Sequence, residues 1–502
     1  MKNIITTIAT AFLIISCSSE LDISSPSELT AAGFWDTEEG ATTAHTGLYA
    51  NLRGEAWDIF LMGEIRSDIW GGRTYESPSY VDLIESNITI STAPFSGWAG
   101  FYTLIHRVND FLINIPNVEF TSESVKNHMI GQALGIRAFY YYNLLKTWGA
   151  VPIILEPFTE IDPSGLSRAR SSESEVLQQI KSDLEASLQA FGTDNSLFRG
   201  SKNYWSKAAT LALKGDVFLW SASLLGGGSA DYNEAKSALQ QIGSMGFSLE
   251  SSFENLWGVE NENNSEFIFA VQYKRDEASN IYNFFTGRST EINPQFDEEG
   301  NSMSSFIIAG ANRFGQSEKT IQLLEDEADS RKKGTFIRLY TDDNGGAGYN
   351  SYDESKYFGS IFKKFLGRVD GSDRIFENDV PIYRYADVLL LLAEAKIGLG
   401  EDPSGEINAI RQRAYGDNFD SAVHGFVSGS SEENKRALLD ERYKEFIGEG
   451  KRWWDLRRAG NSYVLENISF LNPGDEYKLI LPVSESMIGR NPLLEQTPGY
   501  TN

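Results

Sequence analysis

The sequence predicts a mainly α protein: a scaffold of tetratricopeptide-like helix pairs carrying loop-rich insertions and a few short strands. Three observations predict it. Apolar and small residues recur at helical spacing through long segments of the first half of the chain and again toward its end. Between Ser248 and Pro381 that period fails, and short β-type runs sit among Gly, Asn, Asp and Ser loops. The 502-residue chain holds one cysteine, so no internal disulfide can form and a large core must hold the fold.

The elements follow in order. Glu38 to Leu52 reads as a helix ending at Gly54, and Trp98 to Ile113 continues in the same style, with the irregular stretch Ala56 to Gly97 between them. A stronger helix starts at the N-cap candidate Ser122, runs through Ala133, Ile136, Phe139, Tyr140 and Leu144, and stops at Gly149 and Pro152. Further helices are expected at Ser172–Phe191, Asn203–Leu224, Asp231–Ser244, Tyr383–Gly398, Pro403–Ala414 and Ser431–Arg458. Their spacing is not constant, so the repeat is irregular. Glu266–Tyr273 and Ile361–Leu366 read as strands. The body then spans about 37–247 and 382–502 of one domain, with the loop-rich insertion at 248–381, where binding groups are expected because loops tolerate change. The Thr341–Ser355 stretch invites a structural calcium ion but lacks the EF-hand register, and a solvated loop fits it better.

The N-terminus carries an address. Lys2 is followed by the apolar run Ile4–Ile15, too short for a bilayer core of about 30 Å, and then by Ser16 and the lone Cys17. This resembles a bacterial lipoprotein signal, so residues 1–16 are expected to be removed and Cys17 to carry the lipid. Residues 17–36 then form a Ser/Glu/Pro-rich linker. With a formal charge of -26 and no basic run, nucleic acid is excluded as a partner.

Aromatic residues make up 12% of the chain, more flat ring surface than a core of this size strictly needs. A sugar ring presents an apolar C–H face and a rim of hydroxyls, so it pairs with an aromatic face flanked by polar groups. Asp68, Trp70, Arg73 and Tyr75 offer that combination in the first irregular stretch, where Gly71 and Gly72 would free the loop to expose the ring. A second cluster, Tyr273, Tyr282, Phe284, Phe285 and Arg288, lies in the insertion. Alternatively, Trp70 plugs the helix ends. An enzyme is disfavoured. Some pair among 70 Asp and Glu will always look suggestive, but no barrel or sandwich pattern surrounds one. His45, His106, His128 and His424 lack metal-ligand spacing, no G-x-S-x-G elbow precedes a helix, and Gly226–Gly228 lacks the Lys-Ser/Thr of a phosphate loop. No metal or cofactor is expected beyond the lipid.

Several segments resemble the SusD/RagB family of outer-membrane nutrient-uptake lipoproteins. They are Gly135-Ile-Arg-Ala-Phe-Tyr-Tyr-Tyr-Asn-Leu-Leu-Lys-Thr-Trp-Gly-Ala-Val-Pro152, Tyr383 to Ala395, Ile407 to Arg413, and the Glu441 to Arg458 run with its E-G-x-R-W-x-D-L-x-R ending. The tail Asn491 to Tyr500 is similar to N-P-x-L-x-Q-N-P-G-Y, with Thr497 in place of the usual Asn. The resemblance implies a lid on a TonB-dependent, SusC-like outer-membrane barrel, anchored through its lipid and facing the cell exterior. Such a protein binds oligosaccharide or polysaccharide, delivers it to the barrel and does not cleave it. The alternatives are a peptide-capturing RagB-like subunit, a surface glycoside hydrolase, or a helical scaffold for protein partners. In the matched segments Trp98, Trp148, Arg452, Trp453, Trp454, Asp455, Arg457 and Arg458 are expected to be scaffold, with i,i+3 ion pairs from Asp455 and guanidinium groups stacked on tryptophans.

Overall fold

Paired helices form the body. In the computed structural model, which describes residues 31–92, 97–158, 167–342 and 355–501, the longer helices are α1 (Glu38–Phe60), α2 (Ala99–Asn114), α3 (Glu123–Trp148), α4 (Glu173–Phe191), α5 (Lys207–Leu224) and α6 (Gly228–Ile242). After the insertion come α7 (Tyr385–Leu399), α8 (Ser404–Tyr415), α9 (Ser431–Phe446) and α10 (Arg452–Ala459). Helix α3 packs along α4, α5 along α6, and α6 on α7. From Ala133 onward α3 is buried on nearly every face, so its hydrophobic residues form no single stripe. Small residues let the helices close. A Cβ on Gly135 would lie 2.2 Å from Nε1 of Trp205, which itself donates to Thr210 Oγ1 at 2.8 Å. The expected caps form: Ser122 accepts from the Val125 N–H, and Ser172 with Glu175 makes a capping box before α4.

Two helix ends differ from expectation. Gly54 does not stop α1, which runs on to Phe60 and continues as a π-turn at Leu61–Ile65, buried throughout. The glycine costs about 1 kcal/mol against alanine, and the buried residues Leu48, Leu52 and Phe60 on either side of it keep the helix on the core. The single helix expected over 431–458 is two. Gly448 (φ 82°) and Gly450 (φ 72°) take the left-handed region and turn the chain between α9 and α10.

The insertion is closed at its neck by antiparallel strands β1 (Phe267–Val271) and β7 (Val380–Arg384), with Phe267 opposite Arg384 and Val271 opposite Val380. Tyr383 and Arg384 are therefore strand residues, one step before α7. Within the insertion, β3 (Phe336–Tyr340) lies between β2 (Phe296–Asp297) and β4 (Tyr357–Phe362), and β5 (Arg368–Asp370) pairs with β6 (Asp373–Ile375). The neck carries a buried ion network. Arg384 pairs with Glu266 and Glu445 at 2.6 Å and with Glu449 at 2.8 Å, all essentially inaccessible to solvent. The lipid-attachment reading at Cys17 lies outside the described residues, as does 343–354 of the loop considered for calcium.

A second polar island sits under α1. His45 Nε2 is 3.0 Å from Gln132 Oε1, and the ring packs against Tyr49, Phe111, Phe198 and Tyr204. Burial lowers its pKa from 6.5 to about 3, so the unfolded chain takes up a proton there that the folded chain refuses. The His45 contribution is present above pH 6.5 and is lost as pH falls toward 3, amounting to about 5 kcal/mol at most. Urea unfolding from pH 7 to pH 4 is expected to show wild type losing more stability than His45→Gln. Parallel curves would contradict this.

Candidate ligand-binding surface

Most of the rings expected to contact ligand are core residues, and each for a visible reason. Trp70 is 3% exposed; its indole N–H donates to Glu64 Oε1 at 3.1 Å and its ring lies 4.8 Å from Phe285. The glycines after it do not free a loop. The N–H groups of Gly71 and Gly72 both donate to the Gly315 carbonyl, and a Cβ on Gly72 would lie 1.8 Å from the Gln316 oxygen, so they allow close passage of two backbones. Phe285 stacks 4.8 Å from Phe314, Tyr282 lies 4.3 Å from Phe365 with its hydroxyl donating to the Gly448 carbonyl, and Tyr273 is buried. None of these four offers a ring face to solvent.

Asp68 is buried as well. It accepts a two-pronged contact from Arg452 (2.8 and 2.9 Å) and pairs with Lys319 at 2.6 Å. Burial pushes its carboxyl up, but the Arg452 and Lys319 charges outweigh this and hold it below the ordinary carboxylate range. It is a clamp between the first irregular stretch and α10. The α10 cluster has the scaffold role expected of it, with altered partners. Asp455 pairs with Arg458 at 2.8 Å, Arg452 turns to Asp68, and the guanidinium over the Trp453 ring, at 4.1 Å, comes from Arg66.

One ring of the second cluster, Phe284, does reach the surface, together with Tyr80 and the half-buried Trp57 from the part of α1 beyond Gly54. The Trp57 centroid lies 5.9 Å from Tyr80 and 5.6 Å from Phe284, with the buried Phe314 ring beneath at 6.1 Å. Trp57 donates its indole N–H to the Tyr80 hydroxyl at 3.0 Å, leaving the phenol hydrogen free to donate outward. Tyr80 stands at φ 56°, ψ 36°, a left-handed conformation that costs a non-glycine residue about 1–2 kcal/mol. Its carbonyl starts the short helix Val81–Ile84 by accepting from the Leu83 and Ile84 N–H groups. The same stretch accepts Arg288 (2.9 Å) and Arg313 (3.2 Å) on the Glu76 carboxylate. Arg288 and Arg73 remain exposed, the latter donating to the Tyr357 carbonyl at 2.9 Å, while Tyr75 is half-buried on Phe358 at 4.5 Å. Beside Trp57, burial raises the carboxyl of Asp58 above its ordinary value.

Of the expected site residues, the structure therefore brings Arg288 and its loop to an aromatic shelf and withdraws Asp68, Trp70, Tyr273, Tyr282 and Phe285 into the core. Trp57 and Tyr80 escape a reading of the sequence. Trp57 lies past the glycine expected to end its helix, and Tyr80 is a single ring in an irregular stretch. Among the described residues, no group of three or more His, Cys, Asp or Glu side chains is placed to hold a metal ion.

This architecture has known counterparts. The model of the SusD family matches residues 230–500, and a model described as starch-binding associating with outer membrane matches residues 21–218. SusD-like protein P38 of Formosa agariphila is 27% identical, covering 97% of this chain and 96% of its own. Among solved structures, NanU of B. fragilis superposes with a TM-score of 0.85 at 35% identity, covering 96% of this chain and 100% of its own. A SusD superfamily protein from Bacteroides vulgatus gives 0.82 at 31% identity, over 93% of this chain and 100% of its own. With a family model spanning more than half the chain and these folds superposing on almost all of it, the chain belongs to the SusD family.

Proposed function

We propose that this protein is a cell-surface lipoprotein, anchored through Cys17, that captures oligosaccharide or polysaccharide on the Trp57–Tyr80–Phe284 shelf. It passes the ligand uncleaved to a SusC-like TonB-dependent outer-membrane transporter. The observation that carries this reading is the shelf itself. Three separate segments contribute to it: the exposed rings of Tyr80 and Phe284 each lie within 6 Å of the half-buried Trp57 ring, and Tyr80 is held in a strained backbone conformation. A sugar's C–H face packs on such rings, while the Tyr80 hydroxyl and the Arg288 and Arg313 guanidinium groups meet its hydroxyls. The starch-binding and outer-membrane description of the matching N-terminal family model supports a glycan as ligand and the outer membrane as the place of capture.

The test is native-gel retardation on a panel of neutral and anionic polysaccharides. Wild type is expected to be retarded by at least one glycan without shortening it. Trp57→Ala and Phe284→Ala are expected to weaken that binding about tenfold or more. Trp70→Phe, a change in the core, is expected to lower stability and leave retardation intact. Retardation unchanged in both shelf variants would remove the shelf from the reading. Release of reducing ends would replace binding with hydrolysis, and no retardation on any glycan would favour peptide capture.

A further inference from the structure

A cavity of about 450 Å³ opens between α2, the segment that follows α3, and the C-terminal helix Glu485–Arg490. It shares no residue with the Trp57–Tyr80–Phe284 shelf. Two ring surfaces shape it. Trp98 and Tyr102 meet edge to face at 6.1 Å, and the His106 and Phe158 rings stack at 6.2 Å with 19° between their planes. Hydrogen bonds to backbone groups hold two of these rings. Tyr102 donates its hydroxyl to the Pro152 carbonyl, and the Phe158 N–H donates to His106 Nδ1 at 3.2 Å. That last bond places the neutral imidazole's proton on Nε2, which becomes a donor with no partner among the described residues.

The charge of the lining stands apart from the rest of the molecule. In a chain of formal charge -26, none of the described residues that line it is Asp or Glu, while Arg168 and Arg490 both contribute. Asn491 positions that rim, donating to the Arg168 carbonyl at 2.7 Å. Arg490 is exposed and makes no ion pair among the described residues. A cavity with aromatic walls, a guanidinium at its rim and no carboxylate among its described lining residues complements a flat or apolar-faced ring that bears a negative charge. Its volume suits a ligand of one or two rings.

We propose that this cavity is a second binding site, independent of the shelf, for a ring carrying a carboxylate. The ring packs on the exposed Phe158 ring, the carboxylate pairs with Arg490, and His106 Nε2–H donates to an oxygen of the ligand. Two sources share that chemistry, the uronic acid of an anionic glycan and an aromatic carboxylic acid.

Titration of the intact protein with glucuronate, benzoate and glucose, followed by saturation-transfer NMR, tests it. At least one of the two carboxylates is expected to bind, with glucose markedly weaker. Binding of glucuronate alone would identify a sugar acid, and binding of benzoate alone an aromatic acid. Arg490→Ala is expected to weaken the carboxylate ten- to a hundredfold, the loss of one charge-assisted contact. Arg490→Lys is expected to recover part of that, and Phe158→Ala to weaken both ligands. Trp57→Ala should leave this binding unchanged, which separates it from failure or success of the shelf. The proposal is overturned if neither carboxylate binds, if Arg490→Ala binds as wild type does, if glucose binds equally well, or if Trp57→Ala abolishes the interaction.

Discussion

Arg384→Met is expected to lower the unfolding free energy by about 3–5 kcal/mol. Arg384 is fully buried and is the cation shared by Glu266, Glu445 and Glu449, which are buried with it; its guanidinium also lies 4.5 Å from the Phe446 ring. Methionine replaces the aliphatic stem of arginine but leaves three carboxylates short of a counter-charge in a place water does not reach. Arg413 also pairs with Glu266 and Glu445, Lys364 with Glu449 and Arg331 with Glu445, so the network is not emptied. Equilibrium urea unfolding measures the loss. A drop under about 1 kcal/mol would mean that these cations re-pair on their own. Adding Glu449→Gln to Arg384→Met should restore part of the loss, because it removes an orphaned charge. Glu445 also gives the change a pH signature. Burial pushes its carboxyl up, but Arg413, Arg384 and Arg331 hold it far below the ordinary range. Its stabilisation is therefore present above about pH 4.5 and is lost as pH falls through the acid range. The variant is expected to lose less on acidification than wild type.

Glu64→Leu should cost nearly as much, about 3–5 kcal/mol, through unmade hydrogen bonds. Glu64 lies in the π-turn after α1 and is wholly buried. Its Oε1 accepts from the Gly448 N–H at 2.6 Å and the Trp70 indole at 3.1 Å, and its Oε2 accepts from the Gly450 N–H at 2.7 Å. One carboxylate thus ties the start of the first irregular stretch to the turn between α9 and α10. Leucine fills the volume and strands three buried donors. Glu64→Gln, which still offers one acceptor oxygen, should fall between the two. Burial raises the Glu64 pKa from 4.5 to about 7, against the pull of these donors. Its contribution is therefore complete below pH 4.5 and declines as pH rises toward 7, opposite in sign to that of His45. Measuring each variant against wild type across pH 4–8 separates the two. A Glu64→Leu protein as stable as wild type would show that the two turns hold without this tie.

The mainly α scaffold was legible before any coordinates because its signals are local. Caps such as Ser122, stops such as Gly149 and the helical spacing of α3 depend on neighbours a turn away in sequence. So does the Asp455–Arg458 pair. Two of the elements that were misread show where local signals fail. Gly54 carries a helix-ending signal, but burial on both sides of it outweighs about 1 kcal/mol of propensity. Conversely, the α9–α10 segment looks continuous until Gly448 and Gly450 are seen to adopt positive φ so that Glu64, nearly four hundred residues upstream, can accept their N–H groups.

The family membership, the helical frame, the first strand of the neck and the scaffold role of the α10 arginines and tryptophans were determined by the sequence alone; the first strand's partner, Val380–Arg384, was not. Which aromatic faces remain in water was not. Trp70 and Trp57 have the same chemistry and lie thirteen positions apart, yet one is packed among Phe285, Phe336 and Phe362 while the other stands beside Tyr80 on the surface. Exposure is set by what the insertion lays over each ring, and those contacts come from residues more than two hundred positions away, beyond the reach of any local pattern. The same holds for Asp68, whose role was decided when α10 brought Arg452 to within 2.8 Å of it.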